Sequence, residues 1–397
     1  MAGRSWEQYQ AAFEGLDAPF AFVDLDAMWS NAREMLGRAA GKPIRVASKS
    51  VRCRPLLRAI LDRDERFAGL LTFTLAESLW LHSQGFEDLM CAYPTADRGA
   101  LAELGRLESD RPPIVMVDST AHLDFIDAAA GAGHRPIRVC IEIDLGYWIA
   151  GGRIKIGAKR SPIRTPQQAA ALADHVHGRP SLELAGIMGY ESHIAGVGDP
   201  PLGKRLQGPA IRLIKRRSAR EIAERRAAIV AAVREATSLQ LVNGGGTGSL
   251  HTTAQEEAVT ELAAGSGFYA PTLFDRYADF TLNPAAAFAL PVVRKPATRV
   301  ATLLGGGYLA SGPAGKDRLP EPWLPSGLRF DPLEGAGEVQ TPVLGAAAAG
   351  LKLGDKVYLR HAKAGELCER FDRLLLVEGG EVVNEIPTYR GEGRCFV

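Results

Sequence analysis

The spacing of short apolar runs constrains this chain more than any other feature. Candidate strands occupy residues 20–26, 44–49, 69–73, 88–93, 114–118, 137–144, 184–190, 240–244 and, more weakly, 259–263. Helical patterns fill most of the gaps, at 54–62, 75–83, 101–107 and 167–176. Strand–helix alternation at roughly 20–40 residue spacing implies parallel βαβ units. The strands are apolar throughout, as expected when both faces of a sheet are covered. Eight such units close a (β/α)8 barrel. Nine runs are present, so the first, 20–26, is the one to place elsewhere.

After about residue 290 the pattern changes to short strands at 300–304, 337–343, 356–359, 374–377 and 381–386. Gly- and Pro-rich turns separate them, including Gly305-Gly306-Gly307 and the stretch 319–327. This predicts a β-rich second domain, with the boundary near 283–293. The stretch 200–226 is basic. Its part 216–226 reads as a solvated helix face, with contact to an anionic substrate as the alternative.

Lys plus Arg total 47 against 46 Asp plus Glu, a formal charge of +1. That balance points away from nucleic-acid or membrane partners. The cysteines (Cys53, Cys91, Cys140, Cys368 and Cys395) are scattered and lack CxxC spacing. They read as reduced thiols in a cytoplasmic protein. Residues 1–10 carry no apolar signal core, and no apolar run is long enough to span a membrane.

Residues 44–49 form an apolar strand ending in Lys49. The C-terminal strand ends line the active site of a parallel barrel. A lysine there can lose its proton by desolvation and form an imine with an aldehyde, although a lysine capping a strand is ordinarily just solvated. Asn243-Gly244-Gly245-Gly246-Thr247-Gly248 follows the seventh barrel strand, counting from the Lys49 strand, and Ala264-Gly265-Ser266-Gly267 follows the eighth. Glycines let backbone amides converge on one anion, and Thr247 adds a hydroxyl donor. Phosphate sites of barrel enzymes often sit at these two loops, while flexible turns are the ordinary alternative. Glu142-Ile143-Asp144-Leu145-Gly146 caps a long strand with Arg153 just beyond. Arg153 can neutralise a cofactor phenolate or a substrate carboxylate, or simply lie on the surface. Tyr190 can pack on a flat cofactor ring. His193 can serve as an acid or base near neutral pH, or be structural. In the tail, His361, Glu366 and Cys368 are competent ligands for a divalent, zinc-like ion.

Taken in order, these motifs resemble the D-threonine aldolase and D-serine dehydratase-like branch of the alanine-racemase fold, the fold-type-III pyridoxal-5′-phosphate enzymes. The resemblance rests on Ala18-Pro19-Phe20-Ala21-Phe22-Val23-Asp24-Leu25-Asp26 with Asn31, and on Lys49. It rests also on residues 142–146 with Arg153, on Tyr190-x-x-His193 and on Gly245-Gly246-Thr247. These motifs run over almost the whole chain. The resemblance implies pyridoxal 5′-phosphate as cofactor and Lys49 as its Schiff-base lysine. It puts Arg153, Tyr190, Gly245, Gly246, Thr247, Gly265 and Ser266 around the cofactor. It implies a homodimer with active sites at the subunit boundary. It also assigns the 20–26 strand to the β domain, so the expected divisions are 1–26, 27–288 and 289–397. Dehydratase and aldolase members carry a close His-x-Cys or His-x-Asp metal pair near the C-terminus. Here the aligned-looking pair is Glu366-x-Cys368, with His361 displaced upstream. The Ala-Ser-Lys-Ser context of Lys49 is a second departure.

The expected function is a lyase acting on small D-β-hydroxy-α-amino acids, by retro-aldol cleavage or by dehydration. Lys49, Tyr190 and His193 are the expected catalytic residues, with His193 as base. A divalent metal, zinc or manganese, at His361, Glu366 and Cys368 would polarise the hydroxyl. The alternatives are an amino-acid racemase, using Tyr308, Tyr358 or Tyr389 as second base, and a non-catalytic cofactor-binding protein.

Overall fold

In the computed structural model, which describes residues 3–200 and 205–396, eight parallel strands form a barrel. They are Ile44–Ala47, Phe67–Thr72, Leu89–Cys91, Val115–Val117, Ile137–Ile143, Leu182–Gly189, Leu241–Gly244 and Glu261–Ala264. The last pairs with the first, Ala264 opposite Val46. Between the third and fourth, the Cys91 amide donates to the Ile114 carbonyl and the Ile114 amide to that of Leu89, both at 2.9 Å. Parallel strands need crossovers, and helices supply most of them, including Arg54–Arg63, Leu75–Ser83, Arg98–Arg106 and Pro166–His177. The start of Pro166–His177 follows from sequence: Thr165 and Gln168 form a capping box and Pro166 opens the first turn.

The barrel interior is packed with side chains. Met90, Met116, Cys140 and Met188 make an apolar layer. Arg45, 2% exposed, crosses the barrel floor. Its guanidinium pairs with Glu261 at 2.7 Å and Asp88 at 3.0 Å, and Glu261 also accepts from Asn243 at 2.9 Å. A charge this deep is tolerable only when paired and hydrogen-bonded.

A second, largely antiparallel sheet contains Ala286–Ala297, Val300–Leu304, Gln340–Leu344, Lys356–Arg360, Arg373–Glu378 and Glu381–Pro387. The strand Phe20–Asp24 lies within it, antiparallel to Ala286–Ala297 and parallel to Arg373–Glu378. The helix Trp6–Ala12 covers this region through Tyr9, which packs with Phe13, Phe22 and Tyr358. Burying Phe22 completely contributes roughly 1.5–3 kcal/mol. Asp24 then caps the helix Leu25–Arg38, which carries the chain to the barrel.

The 12-residue strand Ala286–Ala297 runs through the expected boundary at 288/289. Its alanine-rich start carries little β propensity, and close packing between flanking strands makes it extended. The helix Gly208–Ala236 is also not simply a solvated basic face. Ser218, Ile222, Arg226, Ile229 and Val233 form a buried stripe along it. Residues 201–204 of the basic stretch lie outside the described residues. Among those described, no helix is long and apolar enough to cross a membrane.

Candidate active site

The strand carrying Lys49 ends at Ala47, and Lys49 sits in the tight turn Ser48–Ser50 at the barrel mouth. Its ammonium donates to the Tyr93 hydroxyl at 2.5 Å. Lys49 is exposed and lines a cavity of about 310 Å³. Lys49, Tyr190, Gly245, Gly246, Thr247, Gly265 and Ser266 all line this cavity. The structure thus brings together seven of the expected site residues, from four barrel strands.

The glycines are dictated by contact. A Cβ on Gly246 would stand 2.8 Å from Ala195 Cβ and 3.1 Å from the Tyr190 ring. One on Gly265 would stand 2.5 Å from the Ala47 carbonyl oxygen, at the end of the lysine strand. Gly245 adopts φ +87°, which glycine allows without strain. The two loops are joined where the Gly267 amide donates to Thr247 Oγ1 at 3.1 Å. That hydroxyl, having accepted, keeps its own proton for an anion. Ser266 and Ser50 hydroxyls meet at 3.0 Å, tying the eighth loop to the lysine turn. The Gly246 amide is engaged internally, donating to Ser249 Oγ at 3.1 Å. Ser249 in turn donates to Glu191 at 3.0 Å, and Glu191 is held by Arg226 at 2.8 Å. Arg226 is fully buried and also pairs with Glu256 at 3.0 Å. This chain of bonds, invisible to local sequence patterns, fixes the glycine loop from behind.

Tyr190 forms a wall of the cavity, and burial pushes its phenol up to about 12. Arg153 lies on an exposed hairpin turn and does not line the cavity. Arg160 lines it instead, 5.4 Å above the Tyr93 ring and 5.9 Å from that of Tyr190. Seven residues beyond Arg153, it returns from the hairpin of Tyr147–Ile149 and Ile154–Ile156. Glu142 is buried. Burial pushes its carboxyl up to about 7, with Arg160 opposing. Tyr93 was signalled only as the end of a predicted strand.

His193 is not in the cavity. Its short helix, Ser192–Ala195, turns the ring toward the long helix, where Nε2 bonds the Ser218 hydroxyl. Burial pushes its imidazole down. The expected metal ligands also separate. His361 is fully buried, its ring edge-on to Tyr269 at 6.3 Å. Cys368 donates to the Val51 carbonyl at 3.2 Å. Glu366 lines the cavity and accepts from the Ser311 amide at 2.9 Å. Among the described residues, no three His, Cys, Asp or Glu side chains form a group able to hold a metal ion. These donors do not fit the expected metal as a set: Cys368 Sγ and one Glu366 oxygen are engaged by backbone groups, and the His361 ring is buried with no hydrogen-bond partner among the described residues. Tyr308, Tyr358 and Tyr389 are buried and none lines the cavity.

A lysine at a barrel strand end, two anion-ready loops and an aromatic wall fit pyridoxal phosphate. Comparison with known proteins agrees with the architecture. The family profile described as the alanine racemase N-terminal domain matches residues 23–271. The 3-hydroxy-D-aspartate aldolase of Paracoccus denitrificans is 24% identical over 257 residues, 63% of this chain and 60% of that protein. The match therefore spans less than two thirds of that relative's length. The structure of D-threonine aldolase from Filomicrobium marinum superposes with a TM-score of 0.78 at 21% identity, covering 95% of this chain and 96% of that one. For D-threo-3-hydroxyaspartate dehydratase from Delftia sp. HT23 the TM-score is 0.71 at 20% identity, with 94% and 98% covered. A family match over most of the barrel, on a fold shared along nearly the whole chain, leads to one conclusion: this chain belongs to the alanine racemase N-terminal domain family.

Proposed function

We propose that the protein is a pyridoxal-phosphate-dependent lyase acting on D-β-hydroxy-α-amino acids. The observation that carries this reading is the convergence of Lys49 and both glycine loops on one cavity. Bound there, the cofactor supplies an aldehyde for an amine and a ring that draws charge from Cα. The Thr247 and Ser266 hydroxyls, with backbone amides of the two loops, would hold its phosphate. Tyr190 would pack against the ring, and Arg160 would supply positive charge beside it. Lys49 would hold the aldehyde carbon and, once released by substrate, would move a proton at Cα. Tyr93, bonded to the Lys49 ammonium, orients that amine.

The names of the relatives above support the substrate class, and the cavity supports a small substrate. A homodimer and a cytoplasmic setting complete the reading. The first rests on the family resemblance and the second on cysteine usage. The test is turnover of a panel of D-β-hydroxy-amino acids by protein loaded with pyridoxal phosphate. Aldehyde plus glycine reports retro-aldol cleavage, and ketoacid plus ammonia reports dehydration. Inversion of configuration without either product would overturn the lyase reading.

A further inference from the structure

The β-domain wall of the cavity carries two charged side chains that the reading above leaves without work. Glu366 lines the cavity, with Oε1 held by the Ser311 amide at 2.9 Å. Its Oε2 is buried and accepts no hydrogen bond among the described residues. A buried carboxylate oxygen without a donor is costly, and such orphans call for an explanation. Lys363 lines the same cavity and forms no ion pair among the described residues. Its ammonium makes only a 3.4 Å contact with the Ser311 hydroxyl. Ser311 thus positions both groups. Burial, then Arg318, push the Lys363 ammonium below the ordinary lysine range, while Glu366 opposes them. Tyr308, whose phenol is pushed up by burial and then by Glu366, also has a buried hydroxyl with no hydrogen-bond partner among the described residues. The expected base, His193, is outside the cavity, and the expected metal ligands do not converge.

We propose that Glu366 and Lys363 together do the acid–base work of carbon–carbon cleavage: the Glu366 carboxylate takes the β-hydroxyl proton and the Lys363 ammonium steadies the charge on the substrate oxygen. The assignment rests on the lyase reading. As the O–H bond breaks, its proton passes to Glu366. Its electron pair becomes the second C–O bond of the product aldehyde. The Cα–Cβ pair would stay on Cα, where the bound cofactor would draw off charge, until Lys49 delivers a proton to Cα to complete glycine and Glu366 releases its proton to solvent. A general base typically contributes about 10²- to 10⁴-fold. An ammonium at the oxygen supplies, without a metal, the electrostatic stabilisation such a step needs.

The experiment compares wild type, Glu366→Gln and Lys363→Met, each loaded with pyridoxal phosphate. It measures cleavage of D-β-hydroxy-amino acids and exchange of the Cα proton of D-alanine in deuterated water. Exchange needs Lys49 but no base for a β-hydroxyl. The expected result is a cleavage rate about 10²- to 10⁴-fold lower in Glu366→Gln, lower also in Lys363→Met, with exchange within about twofold of wild type. Wild-type cleavage should survive chelation, and elemental analysis should find no stoichiometric divalent metal. Equal cleavage by Glu366→Gln and wild type would overturn the pair while leaving the lyase reading intact. So would parallel loss of cleavage and exchange, or chelation that stops wild-type cleavage until metal is restored. Wild type that exchanges D-alanine but cleaves no substrate would overturn both.

Discussion

Gly365 of the β domain lies directly against the carbonyl oxygen of Lys49. A Cβ at Gly365 would collide with that oxygen, and the residue adopts φ +79°. Arg52 reinforces the junction, donating to the same carbonyl at 3.0 Å and pairing with Glu369. The separation of Lys49 from Glu366, the next residue after Gly365, is therefore set by backbone packing.

Gly365→Ala should be destabilising for two reasons. A positive φ at ψ −41° alone costs a residue with a Cβ on the order of 1–3 kcal/mol, and the collision adds displacement of the Glu366 turn. Denaturant unfolding is expected to show a loss of about 2 kcal/mol or more, with turnover reduced in the fraction that remains folded. Stability equal to wild type would show that this segment moves freely.

Purified protein loaded with pyridoxal phosphate should be yellow, and borohydride should fix the cofactor to Lys49. Peptide mapping is decisive because the cavity holds a second lysine, Lys363. Label on Lys363 would reverse the roles of the two walls.

Thr247→Ala should weaken cofactor binding by roughly 1.5–3 kcal/mol, about 10- to 150-fold, if its hydroxyl serves the phosphate. The substitution also leaves the Gly267 amide without its acceptor, a stability cost of about 1–3 kcal/mol. Thr247→Ser keeps the hydroxyl and should recover most of both losses. Titration of apoprotein with pyridoxal phosphate, alongside thermal unfolding, separates the two effects.

His361 makes a pH prediction. Burial, with Arg360 adding to it, pushes its imidazole down to about 3. Between there and the ordinary histidine range, the unfolded chain takes up a proton that the folded chain refuses. Its contribution to stability is therefore complete above about pH 6.5 and falls as pH drops toward 3. His361→Gln, neutral at every pH, should flatten the acid limb of a stability–pH curve relative to wild type. Parallel curves for the two proteins would refute the assignment.

Much of the barrel was legible because its signals are local. Apolar runs, caps and turn glycines sit next to the elements they specify, so Leu75–Ser83 and Val300–Leu304 match their expected bounds. Lys49, Tyr190 and the two glycine loops were legible for a related reason. Strand ends of a parallel barrel all open on one face, so position along each strand already implies position in the site. The Ala286–Ala297 strand was not legible, because alanines become extended only when neighbouring strands enclose them.

The strand–helix alternation, the change to a β-rich domain and the motifs that carry the family's fold are all written locally in the chain. Which charges meet was settled by packing. It turned His193 away toward Ser218, left Arg153 outside while bringing in Arg160, and kept His361 apart from Cys368. It buried Arg226 between Glu191 and Glu256, and it brought Glu366 and Lys363 over the lysine turn. The difference is one of range. Backbone preference acts over a few residues, whereas pairing, burial and orphaned polar atoms arise between side chains distant in the chain, after packing has chosen their neighbours.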